Sequence, residues 1–387
     1  MRIGVIGGGV YGTAISYFLK QFGADDVILF EQDSIGGTST AKSAGIVRQH
    51  YSNRFHIRFA KRGVELLQEL DQEINQSGGV HQNGYLLLAD DENESQFRKN
   101  VALQKDLGIE VEILGSDEVS DVMPGLNTED VVGAALEHKS GFADPYLVAS
   151  SYAQLAQELG VTVQTNSPIT DISVHDGTVT SVITPDQIVD VDFLINAGGP
   201  SADTIAAMGG YELELERHEA KIVVLTASES YGPDRPVLSD LGLGLYAKPE
   251  PGGDFIIGGM ERNDVGRTLT NETDLKGVSH EDLDQVLDFL EHRLPNYSDA
   301  EIVQSWSGLI TASNDWHQVI GVPEGYENFY MAAAGSGHGF KEAPAFAESA
   351  AQDVLDQTPN LDLSSYHPDR FDYDELITSG YDDGGRG

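Results

Sequence analysis

An α/β fold of the α+β kind, a parallel sheet with glycine-rich strand-to-helix turns joined to a smaller antiparallel sheet, is predicted by three observations. Arg2–Ile6 is a short apolar run that leads into Gly7-Gly8-Gly9-Val10-Tyr11-Gly12 and then a helix-periodic stretch. A run of this kind marks a strand buried in a parallel sheet. Two later apolar runs, 193–196 and 328–334, also end in glycine turns. Between those two, residues 211–260 are rich in strand signals, including 221–225 and 255–258.

The opening unit is the most specific. Gly7, Gly9 and Gly12 form G-x-G-x-x-G, and residues 13–22 follow with Ala14, Ile15, Phe18 and Leu19 on one helical face. A second apolar run, 27–30, ends at Glu31, about 20 residues beyond the glycines. Gly7 permits the tight turn, Gly9 lets a pyrophosphate approach the backbone, and Gly12 lets helix and strand pack closely. Unpaired N–H groups at the helix start face the phosphates. Glu31 can accept from a ribose hydroxyl. Together these parts predict a dinucleotide site. The acid disfavours a 2′-phosphate, which sets NADP aside and leaves NAD and FAD.

The loop 36–45 is built of small residues, and a backbone so bare can lie against a flat ligand. Arg48 follows; a guanidinium there can bind a carboxylate bidentately, although taken alone it reads as a solvated surface residue. Residues 53–76 form a helix with Phe55, Phe59, Leu66, Leu67, Leu70 and Ile74 as its buried stripe. His56, Arg58, Lys61 and Arg62 read as its solvated face. Residues 84–89 are a strand and 92–107 a helix. Asp144 caps a helix that starts at Pro145, carries Leu147, Leu155 and Leu159, and stops at Gly160. A strand at 161–163 and a hairpin over 170–183 around Asp176-Gly177 come next. The run 193–196 resembles the opening strand and is expected beside it. Residues 209–300 read as a separate antiparallel domain with helices on one face, among them 279–294, capped by Ser279. The run 328–334 enters Gly335-Ser336-Gly337-His338-Gly339-Phe340-Lys341, with a helix from Ala343 onward. Residues 372–387 are acidic and glycine-rich, and disorder is expected there.

Composition bounds the partners. Among 387 residues, 63 acids face 23 bases, for a formal net charge of −40 spread along the chain. Such a surface suits high salt, where screening relaxes self-repulsion, and is a poor match for nucleic acid. The absence of cysteine excludes disulfides, thiolate metal sites, a cysteine nucleophile and a flavin tethered through cysteine. The histidines and acids show no ligand spacing, so no metal is expected. No signal peptide and no membrane span is read, and a cytoplasmic location is expected.

As an ordered set, GVIGGGVYG with Glu31, SAGIVRQHY (43–51), LINAGGPSA (194–202), LYAKPEPGGDFIIGG (245–259), WSGLIT, IGV and AAAGSGHGFKEAP resemble the FAD-dependent D-amino-acid oxidase superfamily, in its glycine oxidase and sarcosine oxidase (beta subunit) branch. The resemblance implies a Rossmann-like FAD-binding domain of the glutathione-reductase type, made of residues 1–83, 141–208 and 305–371. It also implies a substrate domain of residues 84–140 and 209–304, with an antiparallel sheet over the flavin. Implied cofactor contacts are Gly7, Gly9, Val10, Tyr11, Gly12, Glu31, Ser43, Ala44, Gly45, Ile169, Ala197, Gly198, Gly335, Gly337, His338, Gly339, Phe340 and Lys341.

In sarcosine-oxidase-like members an arginine and a lysine at the positions of Arg48 and Lys341 bind the substrate carboxylate. His338 is implied as scaffold near the flavin. Where some members tether flavin through a histidine, this chain has Lys42, so FAD is expected to be non-covalent. Where sarcosine oxidases place an oxygen-promoting lysine and a nearby histidine, this chain has Ile256 and Met260, which leaves open whether O2 or another carrier takes the electrons. The implied reaction oxidises the C–N bond of a small amino acid or N-methyl amino acid, with hydride passing to flavin N5. The alternatives are an NAD-linked dehydrogenase, a 2-hydroxy-acid dehydrogenase on the same flavin fold, and a flavin subunit of a larger complex. Trp316-His317 either lines the pocket or caps it.

Overall fold

The computed structural model describes residues 1–74, 79–260, 269, 274–378 and 380. Strand β1 (Arg2–Ile6), helix α1 (Val10–Gln21) and strand β2 (Asp26–Phe30) form the predicted unit. β1 lies parallel to β2 on one side and to Phe193–Asn196 on the other, with Ile3 opposite Phe193 and Asn196 opposite Ile6. The full sheet has six strands in the order Val319–Gly321, Phe329–Ala333, Phe193–Asn196, β1, β2, Thr162–Gln164. Only the first pair is antiparallel. All three glycine turns therefore leave the same end of one parallel sheet, because parallel neighbours share a direction.

Helix α1 begins at Val10 rather than at residue 13, so Gly12 lies inside its first turn. A Cβ on Gly12 would sit 1.9 Å from the Gly7 carbonyl oxygen, which is why that turn of the helix tolerates only glycine. Asp144 caps Pro145–Glu158 as expected, its carboxylate accepting the Leu147 N–H at 3.0 Å. The inward face of that helix is Val148, Ala149, Tyr152, Leu155 and Ala156, whereas Leu147 and Leu159 are exposed. Asp176 and Gly177 both take positive φ, as a two-residue hairpin turn between Asp171–His175 and Thr178–Ile183 requires.

The second sheet has eight strands in the order Glu301–Ala312, Glu216–Thr226, Phe255–Gly258, Tyr246–Pro249, Val237–Asp240, Tyr85–Ala89, Gly133–Glu137, Val111–Leu114. It is antiparallel except where Val237–Asp240 runs parallel to Tyr85–Ala89. One face packs on helices Ser116–Val122 and His280–Arg293 through Val223, Leu225, Ala247, Phe255, Ile257 and Phe289. The predicted boundary at 304/305 falls inside Glu301–Ala312, which pairs with Glu216–Thr226 along its whole length.

Helix α2 spans Arg54–Glu73; the predicted end at residue 76 lies outside the described residues. His56 corrects the expectation of a solvated face, being 1% exposed; of the other three basic positions Arg58 is exposed and Lys61 and Arg62 are half-buried. The Gly339–Val354 helix starts four residues before the expected Ala343 and carries Pro344 inside it. α2 packs against this helix through stacked rings of Phe59 and Phe346, 4.0 Å apart. Gly63 permits that approach, since a Cβ there would lie 2.0 Å from the Lys341 carbonyl oxygen. Gly63→Ala is expected to destabilise the fold by about 1–3 kcal/mol, read as a lowered Tm.

Part of the expected disordered tail is tied down. The Ile377 N–H donates to Asp315, the Asn53 amide donates to the Thr378 carbonyl, and the Gly380 N–H donates to Ser52. No helix of the described residues is long and apolar enough to cross a membrane.

Candidate active site

Between the two sheets lies a cavity of about 1230 Å³, larger than a small-molecule pocket and suited to a dinucleotide with a second ligand. Its floor is the glycine turns. Gly7 has φ +109°, and a Cβ on it would lie 2.2 Å from the Ala197 carbonyl oxygen, so the first two turns touch backbone to backbone. Glu31 follows β2, with one carboxylate oxygen accepting the Gly8 N–H at 2.6 Å and the other the Asp33 N–H at 2.7 Å. These bonds fix the acid at the rim of the glycine turn. Gly45, at φ +70°, brings the small-residue loop onto the Ala143 carbonyl.

Of the residues named from the sequence, Gly7, Gly9, Val10, Tyr11, Glu31, Ser43, Ala44, Gly45, Arg48, Ile169, Ala197, Gly198, Gly335, Gly337, His338, Gly339, Phe340 and Lys341 all line this one cavity. Gly12 does not; it packs under Gly7. The roof is the second sheet. Leu87, Ser239, Tyr246 and Ile222 lie in register across it and face the cavity. Gly258 sits in the same row, and a Cβ there would meet the Tyr246 hydroxyl at 2.2 Å, so glycine makes room for that ring. These roof residues are not legible one by one in the sequence, because they come together only through strand register.

The Arg48 guanidinium lies 4.5 Å from the Tyr51 ring centre and donates to the His50 carbonyl. The Lys341 ammonium lies 5.8 Å from the same ring centre. It donates to the Tyr51 hydroxyl and to the His338 carbonyl, both at 3.3 Å. Two cations, Lys341 buried and Arg48 half-buried, thus lie beside one tyrosine, and these two bonds of Lys341 go to neutral oxygens. Burial, then the charge of Arg48, pushes the Lys341 ammonium down to about 7. His50 also lines the cavity, its Nδ1 donating to Gln104 at 2.9 Å; burial and Arg48 push it down to about 3, which keeps it neutral.

Ile256 and Met260 are fully buried and do not line the cavity. Lys248 faces Ile256 across the sheet, but its ammonium is bonded to Glu250 at 2.6 Å. Among the described residues, Lys42 and Lys341 are the lysines of the cavity wall.

Behind the wall stands a cluster that sequence spacing did not reveal. His56, His317 and His338 bring their ring nitrogens within 4.8 Å of one another. Glu342 holds them: one oxygen accepts from His56 Nδ1 and the other from His338 Nδ1, each at 3.0 Å, and Gln318 donates to it at 2.8 Å. His56 Nε2 and His317 Nδ1 are 2.6 Å apart, a hydrogen bond. Two ligands of one tetrahedral zinc at about 2.0–2.1 Å would stand farther apart than that. Trp316-His317 therefore does not line the cavity but closes it from behind. The spacing His338-x-x-x-Glu342 is a helical i, i+4 pair, legible only if the helix is started at Gly339.

The family model described as FAD dependent oxidoreductase matches residues 2–352. The chain belongs to that family. This FAD-dependent oxidoreductase is 26% identical over 95% of its length to FAD-dependent oxidoreductase domain-containing protein 1 of Xenopus laevis, covering 82% of that protein. It is 26% identical over 96% of its length to sarcosine oxidase subunit beta of Rhizobium meliloti (strain 1021), covering 89% of it. Its fold superposes on L-proline dehydrogenase from P. horikoshii with a TM-score of 0.89 and 27% identity, over 97% of this chain and 99% of that one. The oxidoreductase spans only 44% of the dimethylglycine dehydrogenases it also matches. The cavity floor fits FAD: at Gly7 a Cβ would meet backbone rather than open space, and Glu31 is bonded in place at the turn's rim.

Proposed function

We propose that this oxidoreductase oxidises the C–N bond of a small amino acid or N-methyl amino acid of the glycine, sarcosine, proline or D-amino-acid type. FAD is held without a covalent bond by residues 1–83, 141–208 and the segment after Ala312; the eight-stranded sheet covers the substrate. One observation carries the reading. Lys341, buried, and Arg48, half-buried, are two cations in a cavity wall beside the same Tyr51 ring, and a bound carboxylate relieves their mutual repulsion. The likeness to a sarcosine oxidase subunit and to a proline dehydrogenase supports an amine as the other end of the substrate.

When bound, FAD supplies the two-electron acceptor for hydride from the substrate C–H. The chain's own residues do the rest. Arg48 and Lys341 fix the carboxylate, which sets the amine-bearing carbon at one place and angle. Their charge lowers the substrate amine's pKa, so the neutral amine, whose lone pair expels hydride, is the bound form. Leu87, Tyr246 and Ile222 roof the site and exclude water while the C–H bond breaks. The imine product then takes up water to give a carbonyl compound and an amine.

The hydroxy-acid reading needs a base to take an alcohol proton. Of the two cavity histidines among the described residues, His338 has its ring nitrogens engaged by Glu342 and the Trp316 carbonyl, and His50, pushed down to about 3, is a weak base at neutral pH. That favours the amine.

Lys341 sets a pH dependence. Its ammonium form is present below about 7 and lost above it. Affinity for a carboxylate inhibitor should hold below that pH and fall above it, by up to about tenfold per pH unit. Flavin absorbance titrations with acetate or pyrrole-2-carboxylate between pH 6 and 9 measure this; a flat profile contradicts the role of Lys341.

A further inference from the structure

We propose that Glu137 is a positioning residue for the substrate carboxylate: from the roof sheet, through Gln49, Gln104 and His50, it fixes where the Arg48 guanidinium stands. The inference rests on the reading of Arg48 as the carboxylate anchor and adds the group that sets the anchor's place.

The need for such a group comes from the backbone. Ile46–Val47 pairs with Gly141–Phe142 over two residues, and α2 does not begin until Arg54. Residues 48–53 between them belong to no strand or helix. Their peptide groups must find partners outside any ladder, and a side chain carried on such a stretch is only as well placed as those partners make it.

Glu137 supplies the partners. It ends strand Gly133–Glu137, which runs between Tyr85–Ala89 and Val111–Leu114, with Tyr85 and Val111 opposite it. It is 1% exposed and reaches the segment by two routes. One carboxyl oxygen accepts the Gln49 N–H at 2.8 Å and the Ser140 hydroxyl at 2.5 Å. The other accepts from the Gln104 side-chain amide, whose own oxygen accepts from His50 Nδ1 at 2.9 Å. The His50 carbonyl in turn accepts from the Arg48 guanidinium. The two routes therefore grip the residues one and two places after Arg48, and the second ends at the residue whose carbonyl steadies the guanidinium. Gln49, His50, Gln104, Glu137 and Ser140 are all buried, so a lost partner is not readily replaced by water.

The arrangement rests on where the two oxygens stand. Burial pushes the Glu137 carboxyl up, and its three hydrogen bonds and the charge of Arg48 act against that. Glu137 does not itself line the cavity, so it touches neither substrate nor cofactor and acts through Arg48. Its strand pairs with Tyr85–Ala89, whose Leu87 faces the cavity. The carboxylate anchor and the roof thus share one support. A carboxylate held by Arg48 is then set at a fixed place relative to the roof, as orientation of the amine-bearing carbon requires.

The test uses the full, FAD-loaded chain and titrates acetate against flavin absorbance at one pH. Glu137→Met removes both acceptor oxygens and should weaken acetate binding about tenfold or more, with flavin content unchanged. Glu137→Gln keeps an oxygen for the Gln49 N–H and should retain most of the affinity. In an Arg48→Ala background, Glu137→Met should change acetate affinity by less than about twofold, since nothing is left for it to position. Should Glu137→Met not fold, Gln104→Met cuts the second route alone and takes its place, with a loss of about threefold or more that again vanishes without Arg48. Equal losses in the two backgrounds, or no loss from the folded variant, overturn the proposal and leave the substrate reading intact. An Arg48→Ala protein that binds acetate as tightly as the wild type overturns both.

Discussion

Arg48→Ala is expected to raise KM for the amine substrate by about 30-fold to several thousand-fold while the protein stays yellow. The range follows from the cost of about 2–5 kcal/mol for truncating one partner of a buried, hydrogen-bonded charge pair. Arg48 is placed to meet a carboxylate: its guanidinium stacks on Tyr51 and is steadied by the His50 carbonyl, so little side-chain freedom remains to be lost on binding. Arg48→Lys should recover only part of the loss, because an ammonium keeps the charge but not the planar fork. If the guanidinium also orients the amine-bearing carbon, kcat falls too, by less than KM rises. Steady-state kinetics beside a flavin-content assay separate the cases. Unchanged kinetics with normal flavin would remove Arg48 from the site.

Gly7→Ala should abolish stable FAD retention. The residue has φ +109°, which side-chain-bearing residues rarely adopt, and the new methyl would stand 2.2 Å from the Ala197 carbonyl oxygen. Backbone strain and overlap together are worth about 2–6 kcal/mol. Neither contact is with the far end of a flexible side chain, so relief requires the two turns to separate. Those turns, Gly7–Gly9 and Ala197–Gly198, both line the floor of the cavity. Flavin-to-protein ratio after gel filtration, with Tm alongside, gives the answer. A fully yellow variant of unchanged Tm would show that the turns are not packed as described.

What was legible in the sequence follows from what each position needs locally. The glycine fingerprint, the Asp144 cap and the Asp176-Gly177 turn are dictated by backbone conformation within a few residues, and each is found where it was expected. The parallel neighbours of β1 could be inferred because each glycine turn must end beside the same ligand. Arg48 and Lys341 were visible only through the ordered family motifs; by themselves they resemble any surface cation.

The failures share a cause. His56 reads as solvated on a helical wheel, yet its partners Glu342 and His317 come from the far end of the chain. Glu342 lies just outside a helix read from Ala343, whereas the helix begins at Gly339 and carries Pro344 inside it. The tail's composition predicted disorder, but hydrogen bonds to Ser52, Asn53 and Asp315 hold residues 377, 378 and 380.

The most direct test of the central claim follows the visible spectrum of the purified, FAD-loaded protein without oxygen while sarcosine, glycine, proline and D-alanine are added in turn. Bleaching by at least one of them, blocked by a simple carboxylate and lost in Arg48→Ala, is the predicted result. Readmitting air then tells whether O2 or another carrier takes the electrons. A flavin that none of these amines bleaches, but that a 2-hydroxy acid does, would contradict the account.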